Sequence, residues 1–232
     1  MNETDFGIIL GSQPYRDFDG LVYVLLKKYG VRTFLYRGLY KPNSKLLSRA
    51  QLYQIYEFLF NYKESGLLIP KSITLKENFI HLQNDAYKQI LAAVLFELRA
   101  ILDQEYDLVA SFLSNLDQKD QAILVFLIFL SELLNHNGLQ PMVDFDVHHR
   151  QQKVASFSIE EGGFVVYNYN NSYSKEELQQ IRRIFKANFD VIDKLMDMEI
   201  SGQVVQTIID YFRFHMQLGL NSWEIYKEIV YN

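Results

Sequence analysis

Between Gly20 and Tyr56 the chain carries seven cations, Lys27, Lys28, Arg32, Arg37, Lys41, Lys45 and Arg49, and not one Asp or Glu. Tyr23, Tyr29, Phe34, Tyr36 and Tyr40 lie among them. A cationic track that follows phosphates, interleaved with rings on which bases stack, is the chemistry of single-stranded nucleic-acid binding. For any one of these residues an ordinary solvated surface over an aromatic core is the plainer reading. The acid-free run as a whole favours binding. A second chemically able set is Asp144-Phe145-Asp146-Val147-His148-His149, whose residue types can ligate a metal in a hydrolase. Its adjacent histidines diverge on a strand or a helix, so a polar surface loop is the simpler reading there. Arg182, Arg183 and Lys186 form a basic cluster in which Arg182 and Lys186 share a helix face, and Arg150 with Lys153 forms another. Each also reads as a solvated face. No nucleophile elbow is present, and Gly162-Gly163 is not followed by the Gly-Lys-Ser/Thr of a phosphate loop.

Charge divides the chain. Residues 1–80 hold 11 Lys+Arg against 7 Asp+Glu, a balance of +4, whereas residues 81–232 hold 12 against 21, a balance of −9. That asymmetry implies two modules with different partners, the basic one suited to a polyanion. Apolar residues make up 49% of the 232, enough for a sizeable core, and cysteine is absent. Disulfides, thiol nucleophiles and thiolate metal sites are thereby excluded, which fits a reducing compartment. The acidic start, Met1-Asn2-Glu3-Thr4-Asp5, does not read as a signal peptide. The longest apolar run, residues 122–130, has nine residues. A membrane span needs roughly 20, so the run reads as a buried helix. The expectation is a soluble cytoplasmic protein without a membrane partner.

The elements that must position these residues change character along the chain. Residues 7–11, 21–26, 31–37, 51–62 and 67–75 read as strands separated by turn chemistry at Asp17-Phe18-Asp19-Gly20, Tyr29-Gly30 and Lys41-Pro42-Asn43-Ser44. Alternation in 31–37 puts Arg32, Phe34 and Tyr36 on one face and Val31, Thr33 and Leu35 on the other. Five short strands with turns between them suggest a small closed barrel. Beyond Phe79 apolar residues recur at helical spacing over 86–102, 108–116 and 122–134, with Asn137-Gly138 as a stop. Residues 139–173 are irregular, with an extended stretch at 164–167. Ser174-Lys175-Glu176-Glu177 reads as an N-cap with acids in the first turn. Further helices are expected over 178–187, 204–218 and 223–229.

The order of these pieces resembles RecO, the bacterial recombination mediator family. The likeness rests on an apolar strand, an acidic turn, a second apolar strand and Tyr29-Gly30, then Arg37-Gly38 and a basic loop ending in Ser44. It continues in Gly138-Leu139-Gln140-Pro141-Met142-Val143-Asp144, Phe157-Ser158 and Gly162-Gly163. The resemblance implies an OB-fold, then a helical domain with a zinc-knuckle-like insertion. It also implies binding of single- and double-stranded DNA, strand annealing, and loading of RecA onto DNA coated by single-strand-binding protein. RecR and the acidic C-terminal tail of single-strand-binding protein are the implied partners. Many family members place Cys-x-x-Cys after the Leu-Asp pair and a second pair after Gly-Gly. Here the first positions hold Asp146 and His149, and the second fall near Val166 and Tyr169.

The expected fold is therefore α+β: a five-stranded OB-fold barrel over residues 1–80, then a mainly α-helical domain over 81–232 with a cysteine-free irregular/β insertion at about 139–173. The expected DNA contacts are Lys27, Lys28, Arg32, Tyr36, Arg37, Lys41, Lys45 and Arg49, with Tyr36 stacking on a base and Lys41 and Lys45 on phosphate. Arg182, Arg183 and Lys186 are the candidates for the partner tail. No catalytic residue, cofactor or zinc is expected, Asp146 and His149 being weak metal candidates, and no enzymatic activity. A protein-interaction scaffold without DNA affinity, and a metal-dependent hydrolase using Asp146 and His149, are the competing readings. The expected location is the cytoplasm, in association with the nucleoid.

Overall fold

A computed structural model of the chain describes residues 2–44, 46, 50–167 and 173–231. The chain folds into two compact units, one built from residues 1–118 and 220–232, the other from residues 119–219.

The first unit begins with five antiparallel strands: β1 (Asn2–Tyr15), β2 (Asp19–Leu26), β3 (Gly30–Tyr36), β4 (Ile55–Asn61) and β5 (Pro70–Glu77). Their order in the sheet is β3-β2-β1-β4-β5. The sheet closes because Leu68, just before β5, bridges β3 in parallel. Leu35 N donates to Leu68 O at 2.7 Å and Leu68 N to Thr33 O at 3.0 Å. Closure on itself is the small-barrel solution to the edge-strand problem. The interior is apolar and largely aromatic: Ile9, Val22, Val24, Phe34, Phe58, Phe60 and Leu68 are all but fully buried. Phe34 lies 5.2 Å from Phe58 and 5.4 Å from Phe60, ring centre to ring centre.

β1 is far longer than the five-residue strand expected. It serves both neighbours, pairing residues 2–8 with β4 and residues 7–15 with β2, with a register irregularity between Ile9 and Gly11. Gly7 lies at the crossover, where a Cβ would stand 2.6 Å from Val24 Cγ1 and 2.8 Å from the Phe58 ring. Only β4 of the expected 51–62 stretch is strand, and Pro70 opens β5. Pro is tolerated at a first strand position because the ladder loses no donor there.

Short helices α1 (Ile80–Asn84), α2 (Ala86–Ala92) and α3 (Val94–Glu97), a 3-10 turn at Arg99–Ile101, α4 (Tyr106–Gln118) and α8 (Asn221–Tyr231) complete this unit. Residues 86–102, read as one helix, are thus three short pieces. Phe96 of α3 packs its ring where a Cβ on Gly11 would lie, 2.3 Å away. Glu97 accepts from Asn221 N and Ser222 N at 2.6 and 2.8 Å, capping α8 with a carboxylate.

The second unit is organised around α5 (Ala122–His136), whose residues 124–131 are all buried, as expected of so apolar a run. α6 (Lys175–Phe185) and α7 (Gly202–Met216) pack on it. Ser174 and Glu177 form the reciprocal cap that the sequence indicates. Between α5 and α6, β6 (Ser156–Ser158) and β7 (Gly163–Val165) make a small hairpin. No helix among the described residues is long and apolar enough to cross a membrane.

Candidate nucleic-acid interface

The acid-free segment does not form one patch. Lys27 and Lys28 sit at the β2–β3 turn, while Arg37 and Lys41 lie past the other end of β3. Seven residues of strand separate the two ends by roughly 20 Å. At the first end Lys27 Nζ is 2.8 Å from Asp107 Oδ1 and 5.3 Å from the centre of the Tyr106 ring. Lys28 Nζ donates to Thr4 O at 3.3 Å. Asp5, 4% exposed, accepts from Phe6 N and Lys28 N at 2.9 and 2.8 Å. Burial raises its pKa, and the two amides work against that rise. Both lysines at this end are exposed, but Lys27 is already paired with an acid and Lys28 with a main-chain carbonyl.

Alternation in β3 is as expected, but the face it defines is the inside. Tyr36 is 2% exposed in the barrel core, and burial pushes its hydroxyl pKa well up. Its ring has no face open to a base, so the stacking role assigned to Tyr36 is corrected. Arg32 shares that parity and is half-buried. Its Nη1 donates to Val31 O at 2.8 Å and its Nε is enclosed without a partner.

The other end is open. Arg37 and Lys41 are exposed and neither is paired with an acid among the described residues. Gly38, at φ +70°, turns the chain between them, and the Lys41 stem lies over it, 3.0 Å from where a Cβ would stand. The loop is bonded to the β1–β2 turn: Gly38 N donates to Asp19 Oδ1 at 2.8 Å and Tyr40 N to Phe18 O at 2.9 Å. Lys45 and Arg49 lie outside the described residues. Along the β3–β5 closure runs a groove of about 350 Å³ bordered by Arg37, Leu46, Ile69 and Lys71. Lys71 and Ile69 were not singled out in the sequence. Nor was Phe18, 48% exposed at the tip of the β1–β2 turn.

In the second unit Arg182, Arg183 and Lys186 do meet at one surface. They rim a pocket of about 610 Å³ with Lys194, over a floor that includes Ala187, Val191 and Leu195. A second hollow of about 470 Å³ shares Arg182 and Gln179 and adds Lys153, Lys175 and Phe164. Asp144 accepts from Arg182 Nη2 at 2.7 Å and also from Lys186, and those contacts lower its pKa. Arg183 and Lys194 are unpaired among the described residues.

The knuckle-like insertion is built on Asp146. Its carboxylate, 1% exposed, receives Arg150 Nε at 3.0 Å and Nη2 at 3.2 Å. The main-chain N–H groups of His148, Arg150 and Val166 add three more bonds, each at 3.1 Å. The Arg150 guanidinium, with the main-chain amides of Arg150 and His148, holds its pKa down to about 2. Arg150 also lies over the Tyr167 ring, 4.6 Å from its centre. The His149 ring turns instead to Phe145, 4.9 Å away, on a backbone at φ +56°. At the second knuckle position Val166 offers only its N–H, and Tyr169 lies outside the described residues. Among the described residues no three His, Cys, Asp or Glu gather as metal ligands. The donors present do not fit a closed tetrahedral zinc site, since the one buried carboxylate is saturated by other bonds. Nor do Asp146 and His149 converge as a hydrolytic pair.

Two family models match the chain. Residues 1–79 match "Recombination protein O N terminal" and residues 85–224 match "Recombination protein O C terminal". The chain belongs to the RecO family. It is 28% identical over 230 residues to a DNA repair protein RecO of Leuconostoc mesenteroides, covering 92% of this chain and 88% of that one. It is 24% identical over 242 residues to the RecO of Alkaliphilus metalliredigens, covering 96% and 98%. The RecO of Bacillus pumilus is 25% identical over 218 residues, covering 87% and 83%. The closed five-stranded sheet is the family's OB-fold. RecO membership gives the chain a role in DNA repair and recombination.

Proposed function

We propose that this RecO protein binds single- and double-stranded DNA at the Arg37–Lys41 end of its barrel, and acts as a non-enzymatic mediator. It anneals strands and helps load RecA onto DNA coated by single-strand-binding protein, in the cytoplasm at the nucleoid. The observation that carries this reading is a pair of exposed cations at that end. Arg37 and Lys41 stand exposed and unpaired beside the groove that Lys71 borders. Phosphate contacts from such cations supply sequence-independent affinity. Lys45 and Arg49 extend the same segment.

The basic pocket of the second unit is suited to an acidic peptide ending in an apolar residue. Arg183 and Lys194 meet the carboxylates and Ala187, Val191 and Leu195 take the apolar end. That chemistry supports the tail of single-strand-binding protein as its occupant. RecR is the further partner that family membership suggests. The insertion is held by Asp146 and Arg150 without a metal.

Fluorescence anisotropy with labelled single-stranded DNA across a salt series, with and without the tail peptide, tests this reading. Binding through the rim predicts log affinity falling against log salt with a slope of about −0.7 for each phosphate neutralised. A flat response, or no binding at low salt, would leave a scaffold without DNA affinity.

A further inference from the structure

The rim holds phosphates but, with Tyr36 inside the barrel, it lacks the stacking ring that single-strand binding calls for. We propose that Phe18, at the tip of the β1–β2 turn, is that ring: it stacks on a nucleobase of a strand whose phosphates lie on Arg37 and Lys41. The inference rests on the DNA-binding reading above.

Three observations carry it. Phe18 is 48% exposed, and among the described residues no other ring or cation packs face-on against it. A large ring at a turn tip, outside the apolar core, leaves a π-face to solvent. The tip is also fixed: Tyr40 N holds the Phe18 carbonyl at 2.9 Å and Gly38 N holds the Asp19 carboxylate at 2.8 Å. Leu39, 2% exposed, anchors the same contact, standing 2.4 Å from where a Cβ on Gly20 would lie. Turn and basic loop therefore form one preorganised rim, and a ring carried on a backbone already in place costs less ordering entropy on binding.

Charge then sorts the parts of the nucleotide. Asp17 and Asp19 flank Phe18 and make the tip itself a poor seat for phosphate. Arg37 and Lys41, on the bonded loop, are the seats. A strand held this way turns a base, not its backbone, towards the tip. Stacking of this kind is sequence-tolerant, because every base has a π-face.

The test compares Phe18→Ala and Phe18→Trp with the unmodified chain on two labelled single strands of equal length, oligothymidine and an abasic strand. Phe18→Ala is expected to weaken oligothymidine binding by about ten-fold. The salt slope stays unchanged, because no phosphate contact is lost. On the abasic strand Phe18→Ala binds as the unmodified chain does. Phe18→Trp retains affinity, and its emission is quenched by oligothymidine. Equal loss on both strands, or no loss on oligothymidine while the unmodified chain shows its normal salt slope, overturns the stacking role and leaves the rim standing. Absence of salt-dependent binding by the unmodified chain overturns the rim itself.

Discussion

Asp146 and Arg150 form a two-pronged ion pair, Nε at 3.0 Å and Nη2 at 3.2 Å, at the base of the insertion. The carboxylate also gathers amides from both sides of the β6–β7 hairpin, one of them twenty residues on at Val166. A buried charge is stable only when paired and fully bonded, and Asp146 is both. It ties the two ends of the insertion as a metal would, using one acid and its partner.

This bears on pH. The folded-state pKa of Asp146 lies at about 2, below the ordinary carboxylate value of 3.8. A depressed acid contributes stability that is present above the ordinary value and lost as pH falls through the folded one. The protection factor of the Val166 amide, the intrinsic pH dependence of exchange divided out, is therefore expected to hold down to about pH 4 and to fall towards pH 2. In Asp146→Asn it is lower at neutral pH and indifferent to that window. Unchanged protection in Asp146→Asn would contradict the structural role, and so would loss of protection on adding a chelator.

Tyr36 separates core from interface. Its hydroxyl is buried without a partner, so Tyr36→Phe is expected to keep stability and DNA affinity. Tyr36→Ala removes a buried ring from the barrel and is expected to cost about 3–5 kcal/mol on denaturant unfolding. Weaker DNA binding by a stably folded Tyr36→Phe would restore a direct contact.

The basic pocket predicts a charge-dependent partner. Arg183→Glu and Lys194→Glu should each weaken binding of an acidic peptide with an apolar C-terminus by about ten-fold in titration calorimetry. Arg150→Glu, whose native charge is engaged with Asp146, should lower stability more than peptide affinity. Equal peptide affinity in all three variants would place the tail elsewhere.

How far these features were legible differs from residue to residue. The five strands and the turns between them could be read because β-branched and aromatic runs are punctuated by Gly, Asp and Asn. The Ser174–Glu177 cap and the apolar run that opens α5 were equally plain. The parity of β3 was legible but not its meaning. Arg32 shares a face with Phe34 and Tyr36, which looks like a mixed binding surface until closure through Leu68 turns that face inward. The seven cations read as one stretch because sequence distance hides the 20 Å or so that a strand puts between its ends. Phe18 was passed over because Asp17, Asp19 and Gly20 mark a turn, and the ring was absorbed into it. A buried acid and a metal ligand look alike in composition. Arg150, four residues on from Asp146, was the visible sign of the pair.

The central claim is that the Arg37–Lys41 rim is where DNA binds. Its most direct measurement is the salt dependence of single-stranded DNA affinity for the unmodified chain, Arg37→Ala/Lys41→Ala and Lys27→Ala. The double variant is expected to bind more weakly on every sequence, with a salt slope shallower by about 1.4. Lys27→Ala, whose charge Asp107 already offsets, should alter the slope far less. A double variant that binds with the unmodified affinity and slope would contradict the account.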